Sequence, residues 1–189
     1  MAHVKKSIPL PSMSPGSTGR SIALHRFGKA GARPKAYLQA AIHANEFPGA
    51  MALHHLMPML AEADRGGRIK GEVIVVPTVN PIGLSQLVGN NHLGRYDFLG
   101  RDNFNRNWLE LSGAVSERVE GRLGRSASDN VTTIRDAALA ALAAMKPVNE
   151  LQTLRVEVLK LSIDADIALD LHCDNEAVLH LFISRKDWP

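Results

Sequence analysis

The chain has a single cysteine, Cys173, and that scarcity removes two chemistries at once. No intramolecular disulfide can form, and no zinc site can be built on several thiolates. Any metal must be held by imidazole and carboxylate. Sustained apolar runs are missing from the start of the chain, where residues 1–18 carry Lys5 and Lys6 and then break into prolines and serines. Neither a signal peptide nor a membrane-spanning helix fits there, so no membrane partner and a cytoplasmic location are the expectations. Basic residues do not cluster either. The net charge of +3 is scattered, and Lys5-Lys6 is too short to serve as a nucleic-acid arm, so no nucleic-acid partner is expected. There is no internal repeat, and no low-complexity tract beyond the alanines of 137–144.

What is present suits one globular domain. The 189 residues are 45% hydrophobic and 22% charged, enough to bury a substantial core, and 1–189 is read as a single domain. Short β-rich runs alternate with longer helical ones, the pattern of an α/β layer architecture. Residues 21–27 alternate like an edge or half-buried strand, and 36–42 form a second strand that runs straight into His43. Pro48 falls where a first helical turn begins, and Met51, Leu53, Leu56, Met57 and Leu60 supply the apolar face of a helix that fades near residues 64–67. The β-branched run Val73-Ile74-Val75-Val76, within residues 72–79, predicts a central strand covered on both faces. Residues 82–111 are irregular and glycine-bearing, as in a long functional loop. Helices are expected from Ser128 or Asp129 to about 145 and from 149 to about 161, and strands over 166–171 and 177–183.

His43 and Glu46 stand three residues apart at a strand end and a strand-to-helix turn, and His172 ends a later strand. Two neutral imidazoles and one carboxylate give zinc three protein ligands and leave a fourth position open, the pattern of catalytic rather than structural zinc. Both histidines fall at the carboxyl edge of the sheet, where open α/β folds place their sites. Asp170 is a candidate to hold the tautomer of His172, although strand alternation could point it elsewhere. A hydrogen-bonded histidine in a polar strand end is the competing account of His172. The other six histidines, His3, His25, His54, His55, His92 and His180, read as surface or packing residues. Between the two halves of the site lies residues 94–108, with Arg95, Arg101 and Arg106 in one loop. Guanidinium forks bind carboxylates bidentately, so this loop suits an anionic substrate, and a solvated basic loop is the alternative.

The segments His43-Ala44-Asn45-Glu46, Asn80-Pro81, Phe104-Asn105-Arg106-Asn107-Trp108 and Asp170-Leu171-His172 resemble, in that order, the zinc carboxypeptidase superfamily. Residues 42–49 and 76–83 resemble its succinylglutamate desuccinylase and aspartoacylase branch in particular, and the likeness spans roughly residues 20–183. It implies a three-layer α/β/α sandwich with a mixed, largely parallel sheet, and one Zn²⁺ per chain on His43, Glu46 and His172. It implies that Asn105 and Arg106 hold a substrate carboxylate and that an arginine, Arg95 or alternatively Arg101, stabilises the oxyanion. The implied activity is a zinc-dependent hydrolase that cleaves the amide bond of an N-acylated amino acid.

The family's general-base glutamate lies well beyond the third zinc ligand, whereas this chain ends seventeen residues after His172 with only Glu176 in that stretch. A glutamate four residues past a ligand is poorly placed for the role. The expectation is therefore a zinc carboxypeptidase-like catalytic domain lacking its C-terminal part, including the general-base glutamate. Its open sheet edge could be covered by a partner chain in a homo-oligomer. A catalytically incomplete zinc- and carboxylate-binding module is the alternative function. A Cys/His nucleophilic enzyme using Cys173 is a third, disfavoured because the adjacent His172 is better placed as a metal ligand.

Overall fold

The β-branched run Val73–Val76 needs apolar cover on both faces, and it has it: Ile74 and Val76 enter one hydrophobic cluster, Val73 and Val75 the other. This arrangement is seen in a computed structural model that describes residues 3–11, 19–100, 102–174, 176 and 178–184. In chain order the elements are β1 (Val4–Leu10), β2 (Arg20–Gly28), β3 (Lys35–Ala40), α1 (Phe47–Arg65), β4 (Glu72–Val76), α2 (Pro81–Leu84), β5 (Leu87–Val88), β6 (Asn91–His92), α3 (Ser112–Val119), α4 (Ala127–Ala144), α5 (Glu150–Ile163) and β7 (Ile167–Leu171).

One mixed sheet has the order β1-β2-β4-β3-β7. Its β1–β2 and β2–β4 pairs are antiparallel, and its β3–β4 and β3–β7 pairs are parallel. The strand expected to be central, β4, is the middle one. β2, read as an edge or half-buried strand, is flanked on both sides because β1 pairs along it. Successive side chains alternate between faces, so Tyr37 joins Ile22, Leu24, Leu151, Leu154 and Val158 of α5, while Leu38 packs with Phe27, Ala40, Ala50 and Leu53 of α1. The result is the expected α/β/α sandwich. Leu154, fully buried under the sheet, contributes roughly 1.5–3 kcal/mol by its removal from water.

Two expectations change, and one helix is unforeseen. The loop expected over 82–111 holds α2 and a two-stranded hairpin of β5 and β6. α3, which follows it, carries no buried residue and so no apolar stripe to announce it. The strand expected over 177–183 is not formed: Ala177 lies outside the described residues, and residues 178–184 are in no strand. An apolar run becomes a strand only beside a ladder, and here Val178, Leu179, Leu181, Phe182 and Ile183 are exposed. Among the described residues no helix is long and apolar enough to cross a membrane.

Candidate metal centre

The parallel pairing of β3 with β7 brings two distant segments to one edge. Gln39 lies opposite Asp170 and Ala40 opposite Leu171, so both chains leave the sheet side by side, one toward His43 and the other toward His172. Beyond β3 the backbone turns through the left-handed region at Ala41 (φ 59°), with the Val79 N–H donating to the Ala40 carbonyl at 3.0 Å. The fully buried Asn80 holds this turn from below. Its amide donates to the Ile42 carbonyl at 2.8 Å and its oxygen accepts the Gly83 N–H at 2.9 Å, capping α2.

Glu46 occupies the N-cap position of α1 but makes no capping bond with its side chain. The carboxylate is used elsewhere. Gly49 lets the first turn of α1 sit against β7, since a Cβ there would lie 2.7 Å from the Leu171 Cβ, and Glu46 thereby reaches His172. One carboxylate oxygen, Oε1, faces His43 Nδ1 at 3.0 Å, and the other, Oε2, faces His172 Nδ1 at 2.9 Å. Oε2 also accepts the Cys173 N–H at 3.1 Å, and Oε1 accepts from Arg95 Nη1 at 3.2 Å. Ligand atoms of His43, Glu46 and His172 all fall within 4.8 Å of one another.

Both imidazoles share one orientation. The Nε2 of His43 lies 2.9 Å from Asn103 Oδ1, which also accepts the Asn105 N–H at 2.8 Å. The Nε2 of His172 lies 2.8 Å from Asp170 Oδ2. With each Nδ1 given to an ion beside Glu46, these acceptors would hold the proton on Nε2 in both rings. Asn105 Nδ2 stands 3.3 Å from His172 Nε2, a longer contact than the charged one with Asp170, and Asn105 Oδ1 accepts from Trp108 Nε1 at 3.0 Å. Two imidazole nitrogens and a carboxylate, converging with the outer ring nitrogens already engaged, form a donor set that fits Zn²⁺.

Burial pushes the Glu46 carboxyl up, but the Cys173 N–H and the charges of His172 and His43 outweigh it and hold the group below the ordinary carboxylate range. The hydrogen bond to Asp170 raises His172, with Glu46 adding to it and burial opposing. Burial, with the charges of Glu46 and Asp174, pushes the Cys173 thiol up, the opposite of an activated nucleophile.

Residues 32–189 match the succinylglutamate desuccinylase/aspartoacylase catalytic domain. The chain belongs to this family. A succinylglutamate desuccinylase/aspartoacylase family protein from Shewanella amazonensis superposes with a TM-score of 0.77 at 26% identity, over 90% of this chain and 47% of that one. Its counterpart from Shewanella frigidimarina gives 0.76 at 22% identity, over 91% and 46%. A third, from Rhodobacter sphaeroides, gives 0.53 at 17% over 90% and 39%, a likeness of fold alone. The chain thus spans about half the length of the first two. Comparison with curated proteins gave no match.

Within this desuccinylase/aspartoacylase domain the sequence-expected residues do not all meet. Arg95 reaches Glu46, whereas Arg101 lies outside the described residues. Arg106 is exposed and its Nη1 donates to the Asn105 carbonyl at 2.8 Å. Glu176 is exposed. His92, read as surface or packing, stacks on Phe47 and contacts the Gly83 carbonyl at 3.0 Å. Sequence reasoning passed over Asn103 and the buried Arg155. The first stands inside the arginine loop 94–108, while nothing local marks the second. A cleft of about 290 Å³ opens between β7 and α5 beside the centre, lined by Tyr37, Trp108, Val158 and Leu169 and sharing Asn105 and Asp170 with it.

Proposed function

We propose that this chain carries the metal-holding part of a zinc-dependent deacylase that cleaves the amide bond of an N-acylated amino acid. The observation that carries the reading is the paired orientation of His43 and His172, each with Nδ1 on one oxygen of Glu46 and Nε2 on an outer acceptor. His43, Glu46 and His172 would hold the ion, and zinc bound there supplies Lewis acidity toward a carbonyl and acidifies water.

The chain's own residues then divide the remaining work. Arg95 presents a permanent cation beside the ligands, its side chain 47% exposed, where it can leave Glu46 for a developing oxyanion; one such donor is worth roughly 3–4 kcal/mol. Arg106 offers a guanidinium at the rim for the substrate carboxylate, with Asn105 next to it, and contributes orientation more than chemistry. Asp170, 2.8 Å from His172 Nε2, would keep the ring proton there once Nδ1 holds the ion. The cleft beside Asn105 and Asp170 gives an apolar wall for the part of the substrate that carries no charge.

Elemental analysis tests the metal assignment. The purified chain, dialysed against zinc and then buffer, should retain one equivalent, and His43→Ala and His172→Ala should retain none; equal metal content in all three removes the site. Hydrolysis of a panel of N-acyl amino acids by the zinc-loaded protein, with and without a free α-carboxylate, tests the substrate class. Equal rates on carboxylate-free amides would remove the role given to Arg106.

A further inference from the structure

Arg155 is the one arginine of α5, and it is 6% exposed. Burying a guanidinium is costly unless it is paired and hydrogen-bonded. Its Nη2 makes three contacts, all to one segment: Asp102 Oδ2 at 2.7 Å, the Asn103 carbonyl at 3.1 Å and the Arg106 carbonyl at 2.7 Å. The two carbonyls bracket the turn 103–106, which carries Asn103 on His43, Asn105 beside His172, and Arg106 at the rim. On the loop side, the Asp102 carboxylate also accepts from Asn107 Nδ2 at 2.8 Å, and its carbonyl accepts the Asp97 N–H at 2.8 Å. The turn is also held by the Tyr96–Asn103 bridge, by the Phe104 N–H on the Arg95 carbonyl at 3.2 Å and by the fully buried Phe104 ring, but Arg155 is the contact that ties it to α5.

We propose that Arg155 is a positioning residue for the metal centre: from α5 it fixes the turn 103–106, and through Asn103 it fixes the orientation of His43. The proposal rests on the zinc reading of His43, Glu46 and His172. Without Arg155 Nη2 both carbonyls lose their shared donor, the Asn103 side chain loses its register with His43 Nε2, and the ring is free to change tautomer or turn away from Glu46. The same release would let Arg106 drift from the rim, so metal affinity and carboxylate recognition are tied to one buried side chain on a helix that carries no ligand.

The test is zinc affinity of the full chain, measured by competition with a chromophoric chelator at a temperature where circular dichroism shows every variant folded. Arg155→Met keeps the stem and removes the donors; it should weaken zinc on the order of tenfold or more, the usual effect of losing a partner that orients a ligand. Arg155→Lys restores a cation with three donors and should recover most of that loss. A role confined to stability would lower the melting temperature of Arg155→Met and leave its zinc affinity at the wild-type value, and that result overturns the proposal. If Arg155→Met does not fold, Asp102→Asn loosens the same tie from the loop side. It should weaken zinc as well, and wild-type affinity in that variant is equally fatal. A wild-type chain that binds no zinc defeats the metal reading itself, a result distinct from equal binding by wild type and Arg155→Met.

Discussion

Replacing Glu72 by glutamine should cost about 3 kcal/mol of stability and leave zinc affinity unchanged. Glu72 opens β4 with its side chain fully buried, against Arg26 Nε at 2.5 Å and Lys35 Nζ at 3.0 Å, and it accepts the Gly31 N–H at 3.0 Å. At an effective dielectric constant near 20, one such pair at 3 Å is worth roughly 5 kcal/mol of attraction before desolvation is subtracted. Removing one partner of a buried pair typically costs about 3–5 kcal/mol, because the other charge is left unpaired. Two features place this case at the lower end: Lys35 keeps Asp164, and Arg26, 23% exposed, keeps access to water. Glutamine also retains an acceptor for Gly31. For a chain of this size the loss corresponds to a fall of roughly 6–12 °C in melting temperature. Urea unfolding of the metal-free protein gives the free energy, and chelator competition gives the zinc affinity. The metal centre should not respond, since β4 alone puts about 13 Å of strand between Glu72 and the edge where Asn80 holds the ligand turn. A loss below about 1 kcal/mol would refute the pairing argument, and a tenfold change in zinc affinity would refute the separation of the two ends.

Asp166 gives an acid-limb prediction. The Lys35 N–H, together with Arg33 and Arg135 and against the pull of burial, holds its carboxyl below the ordinary range, so the contribution is complete above the unfolded value near 3.9 and lost as pH falls through the folded one. Asp166→Asn should therefore be less stable than wild type at pH 7 and approach it as the acid limb is crossed; a gap that stays constant as pH falls contradicts the assignment. Gly94→Ala should disturb the ligand turn directly, because the added Cβ would lie 2.4 Å from the Asn45 nitrogen and 2.7 Å from the Ala44 carbonyl carbon, both backbone atoms. About 1–3 kcal/mol of stability and a measurable part of the zinc affinity should go together, read by thermal unfolding and zinc titration, and a variant indistinguishable from wild type would show that the turn has room to spare.

What could be read before the structure depended on whether a residue's role was written in its neighbours. β4 announced itself because four β-branched or apolar residues in a row have few other uses. β1 did not, since its first four residues are exposed and Lys5, Lys6 and Pro9 interrupt any alternation. His43 and Glu46 were legible because a strand end, a turn and a proline at the start of a helix fix their relation within four residues. His172 is legible from its place at the end of a later predicted strand, and the family resemblance adds to that reading where no local spacing ties it to Glu46. Asn103 was visible only as one polar residue in a loop, because its partner is 60 positions away. Arg155 was hidden for the opposite reason: an arginine in a helix is ordinarily solvated, and only the packed loop shows that this one faces inward.

The contribution of β7 is similarly topological. The ligand turn and His172 are 126 residues apart from Glu46 onward, yet their separation in space is set by a single ladder spacing, about 4.8 Å, because β3 and β7 are parallel neighbours in register to their last residues. Nothing in between has to be exact so long as that register holds. A slip of one residue along β7 would turn every side chain to the other face and carry His172 and Asp170 away from Glu46 together. Register on a strand is normally specified by a buried face, but Ile167 and Leu169 are 63% and 38% exposed, so apolar burial is a weak constraint here. The stronger constraint sits at the strand's start. Asp166 accepts the Lys35 N–H at 2.7 Å and is gripped by Arg33 and Arg135, while the Asp166 N–H donates to the Lys35 carbonyl at 2.8 Å. That polar clasp pins the first rung of the β3–β7 ladder, and the pairing of the remaining rungs places His172 at the other end.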